Sequence, residues 1–205
     1  IIGEVAKAAS DVDAALKAYR FNDAAATMYA FTYTYCDWYL ELIKANIDEE
    51  TKAVAGWALD QIFVMLHPFM PFVTEEIWGL SAERDTMLAL AEWPDLDASI
   101  IDEAATGELN WVRDLIEKVR SIRGEMNVPK SLKAPLLKLS LDDAGEAAWK
   151  RNETIILRDR EAGIEGLTSV DEAPKGSATI AVDGGTFALP LAGLIDVSAE
   201  RARLE

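Results

Sequence analysis

Three arginines, Arg113, Arg120 and Arg123, are separated by seven and three residues, an interval that brings them to one stripe of a helix. A guanidinium presents a planar fork of donors that fits phosphate oxygens or a base edge. The stripe lies in a locally basic stretch. Residues 111–138 carry seven basic side chains (Arg113, Lys118, Arg120, Arg123, Lys130, Lys133 and Lys138) against three acidic ones. Elsewhere the balance is reversed. The first 100 residues hold 6 basic and 17 acidic side chains, and the 205-residue chain holds 20 against 36, a net charge of −16. Such a surface repels polyanions in general, so any nucleic-acid binding must rest on a local patch. The competing reading of the stripe is a solvated helix with intrahelical pairs such as Arg113–Glu117.

Other reactive residue types are sparse. The single histidine, His67, stands between a helical pattern and a proline break, which suits a packed or capping role. Cys36, the single cysteine, can form neither an internal disulfide nor a thiolate metal set, and a reducing compartment follows as the default. Glu75 and Glu76 are adjacent, so on a helix they diverge by about 100° and do not face one site. Val182-Asp183-Gly184-Gly185 reads as a tight turn rather than a phosphate loop. Asn152-Glu153-Thr154 matches a glycosylation acceptor by chance, because no export signal accompanies it. No apolar run approaches the roughly 20 residues that span a bilayer. Half the residues are hydrophobic, which excludes a disordered tail and a stand-alone enzyme finds no candidate constellation.

The elements that position these residues are mostly helical. Residues 4–18 show helical spacing, broken at Tyr19-Arg20-Phe21-Asn22, with Asn22 as a candidate N-cap. Ala24, Met28, Phe31, Tyr35, Trp38 and Leu42 then define one face of a long helix reaching about Ile47. Asp48-Glu49-Glu50 opens the next helix, buried through Val54, Trp57, Leu59, Ile62, Phe63 and Leu66. The prolines of His67-Pro68-Phe69-Met70-Pro71-Phe72 interrupt it, and a short helix follows through Trp78. Residues 81–100 read as a loop with Trp93 as a plug. Residues 102–126 form a helix with Leu109, Val112, Leu115, Ile116, Val119, Ile122 and Met126 as its apolar stripe. Beyond Pro129 the period changes. Leu137, Leu139 and Leu141 alternate as a strand, Asp142-Asp143 caps a helix to about Ala162, a strand follows near 164–170, and 178–182 pairs with 186–189 across Gly184-Gly185 as a hairpin. The aromatics fall on core spacing, so Trp38, Tyr39, Phe69, Phe72 and Trp78 are expected in the bundle core and none is assigned as a base stacker.

Three groups of motifs carry a family resemblance. Tyr19-Arg20-Phe21-Asn22-Asp23-Ala24-Ala25, Cys36-Asp37-Trp38-Tyr39-Leu40-Glu41, and Leu66-His67-Pro68-Phe69-Met70-Pro71-Phe72-Val73-Thr74-Glu75-Glu76-Ile77-Trp78 resemble the anticodon-binding region of valyl-tRNA synthetase, a class I aminoacyl-tRNA synthetase. Glu92-Trp93-Pro94, the run from Ile122 to Pro129, and the run from Leu189 to Asp196 are similar to the same family. The His-Pro-Phe-Met-Pro-Phe element is shared more loosely with isoleucyl- and leucyl-tRNA synthetases.

The resemblance implies a mainly α fold: an anticodon-binding helical bundle over 1–127, a small α/β connecting module over 128–196, and the start of a truncated C-terminal coiled coil at 197–205. The start at Ile1 and the charged stretch Val197–Glu205 suggest a piece of a longer, cytoplasmic protein. In the family that protein joins valine to its tRNA with ATP and Mg, using catalytic motifs that do not occur in these 205 residues. The piece is expected to hold no catalytic residue, cofactor or metal of its own, and to be a monomer that binds valine-accepting tRNA. Arg113, Lys118, Arg120, Arg123 and Lys130 are the first candidate contacts, and the helix–helix turn bearing Lys44 and Lys52 is the second. The alternatives are a helical protein-interaction scaffold and the equivalent region of isoleucyl- or leucyl-tRNA synthetase.

Overall fold

The computed structural model describes residues 1–44, 47–192 and 194, and the chain forms two compact units, 1–103 and 104–205. In the first unit, α1 (Ile2–Lys17) buries Val5, Ala8, Ala9, Val12 and Ala15 on one face. Alanine methyls keep that face low, so α2 (Phe21–Tyr33) packs closely with Ala24, Met28 and Phe31 in the same core. The two helices are joined by a Schellman turn. The amide of Arg20 bonds the carbonyl of Ala15 at 2.8 Å and that of Tyr19 bonds Leu16 at 3.0 Å. The turn runs so directly into α2 that Arg20 takes the N-cap position without a side-chain bond; Asn22, the expected cap, lies inside the first turn and bonds Asp23.

The expected single helix to Ile47 is broken into α2, a π-helical turn at Thr34–Tyr39, and α3 (Leu40–Ile43). The wider turn moves the core face out of simple helical register. Tyr35 stays buried and donates its hydroxyl to the Ala55 carbonyl at 3.0 Å, whereas Trp38 and Leu42 are only half-buried.

Helix α4 (Glu49–Leu66) begins where the Asp48 carboxylate accepts the Thr51 amide at 2.8 Å, and it buries Ala58, Ile62, Phe63, Val64 and Met65. His67 Nδ1 then lies 2.9 Å from the hydroxyl oxygen of buried Thr74, which donates to the Met70 carbonyl at 2.8 Å. Pro71 occupies the first position of α5 (Pro71–Ser81), where its missing donor costs nothing. Glu75 accepts the amides of Leu88 and Ala89 and so fixes the short turn Leu88–Leu90. Trp93 fills the apolar space as a plug, packed against both core clusters of this unit.

The second unit contains α6 (Glu103–Glu125) from Ala104 onward, together with a four-stranded mixed sheet. Its strands are β1 (Ala134–Leu141), β2 (Ile164–Ser169), β3 (Ser177–Val182) and β4 (Gly185–Pro190), in the order β2-β1-β4-β3. β1 and β2 are parallel and connected through α7 (Asp143–Arg158), while β4 is antiparallel to both neighbours. The β3–β4 hairpin turns at Asp183-Gly184, where Gly184 has φ +67°, a conformation open to glycine.

The division at Glu103/Ala104 differs from the expected boundary at 127. It follows from what α6 touches. The Trp111 indole donates to the Asp183 carbonyl at 3.0 Å and its ring meets Phe187 edge-on, while Lys118 donates to the Ala181 carbonyl at 2.8 Å. Val112, Leu115, Ile116 and Val119 are buried as expected, but Leu109 is exposed and Ile122 and Met126 are half-buried. The stretch expected to start a coiled coil, 197–205, lies outside the described residues.

Candidate nucleic-acid interface

The arginine stripe of α6 separates on folding. Arg123 is 3% exposed. It falls on the apolar stripe itself, four residues after Val119 and seven after Ile116, and its guanidinium donates to the carbonyls of Pro129 (3.0 Å) and Leu132 (2.6 Å). Those bonds close the chain between α6 and β1. Burial pulls its pKa down, and Nε and Nη1 find no hydrogen-bond partner among the described residues. Such a group cannot reach a phosphate without unfolding its surroundings, so the expectation that Arg123 contacts RNA is corrected.

Arg120 is held as firmly. It bonds both carboxylate oxygens of Asp159 and lies 4.0 Å from Glu161. Burial opposes its charge, but the Asp159 bonds together with the charges of Asp159, Glu161 and Glu117 push its pKa up. Asp159 also accepts the Ala162 amide at 2.6 Å, so the pair organises the turn between α7 and β2. The structure thus gives Arg120 a framework role in place of the expected free fork.

The remaining candidates are reachable. Arg113 is half-buried and makes no hydrogen bond or ion pair among the described residues; the Arg113–Glu117 pair of the competing reading does not form. Lys118 pairs with Asp114 at 2.7 Å as well as bonding β3. Lys130 pairs with Glu161, whose carboxyl it holds below the ordinary range. In the first unit Lys44 pairs with Glu41 and Lys52 with Glu49, each within one helix. These lysines are well exposed, with side-chain exposures of 61% for Lys44, 58% for Lys52 and 78% for Lys130. Exposed pairs are worth about 0–1 kcal/mol, so exchanging a carboxylate for a phosphate costs them little.

The aromatics also depart from expectation. Phe72 on α5 is 91% exposed rather than in the core, and Val73, Ile77 and Leu80 are exposed beside it. Tyr19, Phe21, Tyr29 and Tyr33 are exposed as well. Their sequence signal was available: Tyr29 and Tyr33 lie off the face defined by Ala24, Met28 and Phe31. Among the described residues no three His, Cys, Asp or Glu side chains are placed to hold a metal ion, and no helix is long and apolar enough to cross a membrane.

A helical unit with exposed lysines, ahead of a small mixed sheet, matches the family described as "Anticodon-binding domain of tRNA ligase" over residues 1–138, and the chain belongs to that family. Its relatives are more specific than the family. It is 50% identical to the valine–tRNA ligase of Cereibacter sphaeroides over 209 residues and 50% identical to that of Ruegeria pomeroyi over 214. It is 44% identical to the enzyme of Agrobacterium fabrum over 217. Each comparison covers the whole of this chain but only 21–22% of the relative, so the chain spans about a fifth of the length of these ligases. These relatives are all valine–tRNA ligases, and together with the family match they do not favour the scaffold reading.

Proposed function

We propose that this chain grips the anticodon arm of a valine-accepting tRNA, as the recognition part of a ligase that attaches valine with ATP. The observation that carries the reading is the match to the anticodon-binding family over 1–138, joined to full-chain identity with valine–tRNA ligases. The phosphate-facing groups we assign are Lys44 and Lys52 in the first unit and Arg113, Lys118 and Lys130 in the second. Arg120 and Arg123 shape the second unit from within. In this reading ATP, Mg and the chemistry of aminoacylation belong to other parts of the ligase, since the chain spans about a fifth of the length of its relatives. We further assign 128–196 as a connecting module, in a monomeric cytoplasmic enzyme.

The acidic remainder of the surface contributes selectivity, because it repels RNA wherever the docking face does not neutralise phosphate. Titration with deacylated tRNA by fluorescence anisotropy tests the reading. Valine-accepting tRNA is expected to bind more tightly than a tRNA with another anticodon, with affinity falling steeply as salt rises. Equal affinity for both, or no binding at low salt, defeats it.

A further inference from the structure

We propose that the exposed aromatic face of α2, with Tyr19 just ahead of it, is a stacking platform for unpaired bases of an RNA loop; the proposal rests on the reading of the chain as an RNA-recognition module. Phe21, Tyr29 and Tyr33 lie on one ridge of the helix at intervals of eight and four residues, and are 54%, 73% and 56% exposed. The opposite face, Ala24, Met28 and Phe31, is in the core. Between the rings the exposed positions are Asn22, Ala25, Ala26 and Ala30, mostly small side chains that leave the rings standing out from the helix.

The rings are held in place before any ligand arrives. Tyr29 and Tyr33 stack with centroids 6.5 Å apart and planes 27° from parallel. Asp37 lies close enough to the Tyr33 hydroxyl to push its pKa up by hydrogen bonding and by charge. Tyr19 meets Phe21 edge-on at 6.3 Å. Restrained aromatics lose little freedom on binding, and every base offers a π face to stack on them.

Charge agrees. From Ala24 to Cys36 the sequence has no Asp, Glu, Lys, Arg or His, in a chain of net charge −16. Of the carboxylates that flank the stretch, Asp23 is engaged by Arg20 and Asn22, and Asp37 by Tyr33.

Tyr19 supplies an independent observation. It occupies the left-handed position of the Schellman turn, φ +58°, where glycine or asparagine is favoured. The turn that ends α6 has the favoured arrangement: Asn127 at φ +50°, followed by buried Val128. At the end of α1 the position holds a tyrosine that is 81% exposed, so packing does not offset its backbone strain. Strain retained without a packing return points to a task at the surface. The composition of the face points to bases rather than to a protein partner. It carries flat rings and methyl groups and no exposed leucine, isoleucine or valine, unlike α5, where Val73, Ile77 and Leu80 accompany Phe72.

The test uses the 205-residue chain with two probes: an RNA hairpin bearing an unpaired loop, and the same stem as a closed duplex. Tyr29→Leu and Tyr33→Leu keep apolar bulk and remove the π face; each is expected to lower hairpin affinity about tenfold, within the range for loss of one base stack, and to leave duplex affinity and the salt slope as they were. Tyr29→Phe is expected to recover most of what Tyr29→Leu loses. Tyr19→Gly relieves the backbone while removing the ring, so hairpin affinity falls although the melting temperature does not. Phe72→Leu, which removes an equally bare ring from α5, changes nothing. If the folded leucine variants bind the hairpin like the parent, or lose hairpin and duplex equally, the platform is refuted while the anticodon reading stands. If the parent binds neither RNA, both fall. If the variants instead abolish association with another protein or a second copy, the face is a protein interface and the proposal is overturned.

Discussion

Asp159 receives the guanidinium of Arg120 on both carboxylate oxygens and the amide of Ala162 on one of them. The sequence presents Arg120 as a free cation on a basic helix. The fold uses it to pin α6 to the turn after α7. Replacing Arg120 with alanine leaves Asp159, 12% exposed in its side chain, without its counter-charge. A loss of about 2–4 kcal/mol of unfolding free energy is expected by denaturant titration, because breaking a buried pair strands the remaining ion. The tRNA affinity of the folded fraction should stay within twofold of the parent.

Arg123 and Gly163 form a second coupled pair. Gly163 adopts φ +54°, and a Cβ added there lies 2.9 Å from Arg123 Nη2 and 3.0 Å from the Leu132 carbonyl oxygen. Gly163→Ala therefore strains the backbone and displaces the guanidinium. Both Gly163→Ala and Arg123→Ala are expected to cost about 2 kcal/mol or more. A double-mutant cycle should show the two costs to be less than additive, since the clash with the guanidinium is absent when alanine replaces Arg123.

Tyr35 reports on the core of the first unit. Burial, with smaller contributions from neighbouring groups, pushes its hydroxyl pKa up to about 12. The unfolded chain ionises this tyrosine near 10, so its contribution to stability is complete below that value and is lost as pH rises toward 12. Spectrophotometric titration should find one tyrosine ionising well after the exposed ones. Tyr35→Phe should remove that late step and, by losing the bond to the Ala55 carbonyl, cost about 1 kcal/mol.

Lys44 and Lys52 give the electrostatic prediction. Each pairs with an exposed carboxylate one helical turn away, Glu41 and Glu49. Replacing either lysine with alanine should leave the melting temperature within about a degree, because exposed pairs contribute little. Each change should also weaken tRNA binding irrespective of sequence and lower the salt slope by about one.

Much of the fold was legible because local chemistry was decisive. Asp142 caps α7 and Gly184 turns the hairpin, both from short-range rules, whereas Pro71, read as part of the interruption, proves to be the first residue of α5. The π-helical turn at Thr34–Tyr39 was not legible, since Tyr35, Trp38 and Leu42 keep ordinary helical spacing in the sequence and only packing selects the wider turn. The arginine stripe misled for a related reason. Spacing placed Arg123 within four residues of Val119, on the buried side, but its charge suggested solvent; the carbonyls of Pro129 and Leu132 that make burial tolerable come from the following loop. Exposure of Phe72 was hidden because an aromatic at helical spacing normally marks a core, and nothing local distinguishes an uncovered face from a covered one.

Competition against labelled valine-accepting tRNA tests the central claim most directly. The unlabelled competitors are an RNA hairpin reproducing that tRNA's anticodon arm and one reproducing its acceptor arm. The account predicts that the anticodon hairpin displaces the tRNA from the 205-residue chain and that the acceptor hairpin does so far more weakly. Displacement by the acceptor hairpin alone, or by both with equal potency, contradicts it.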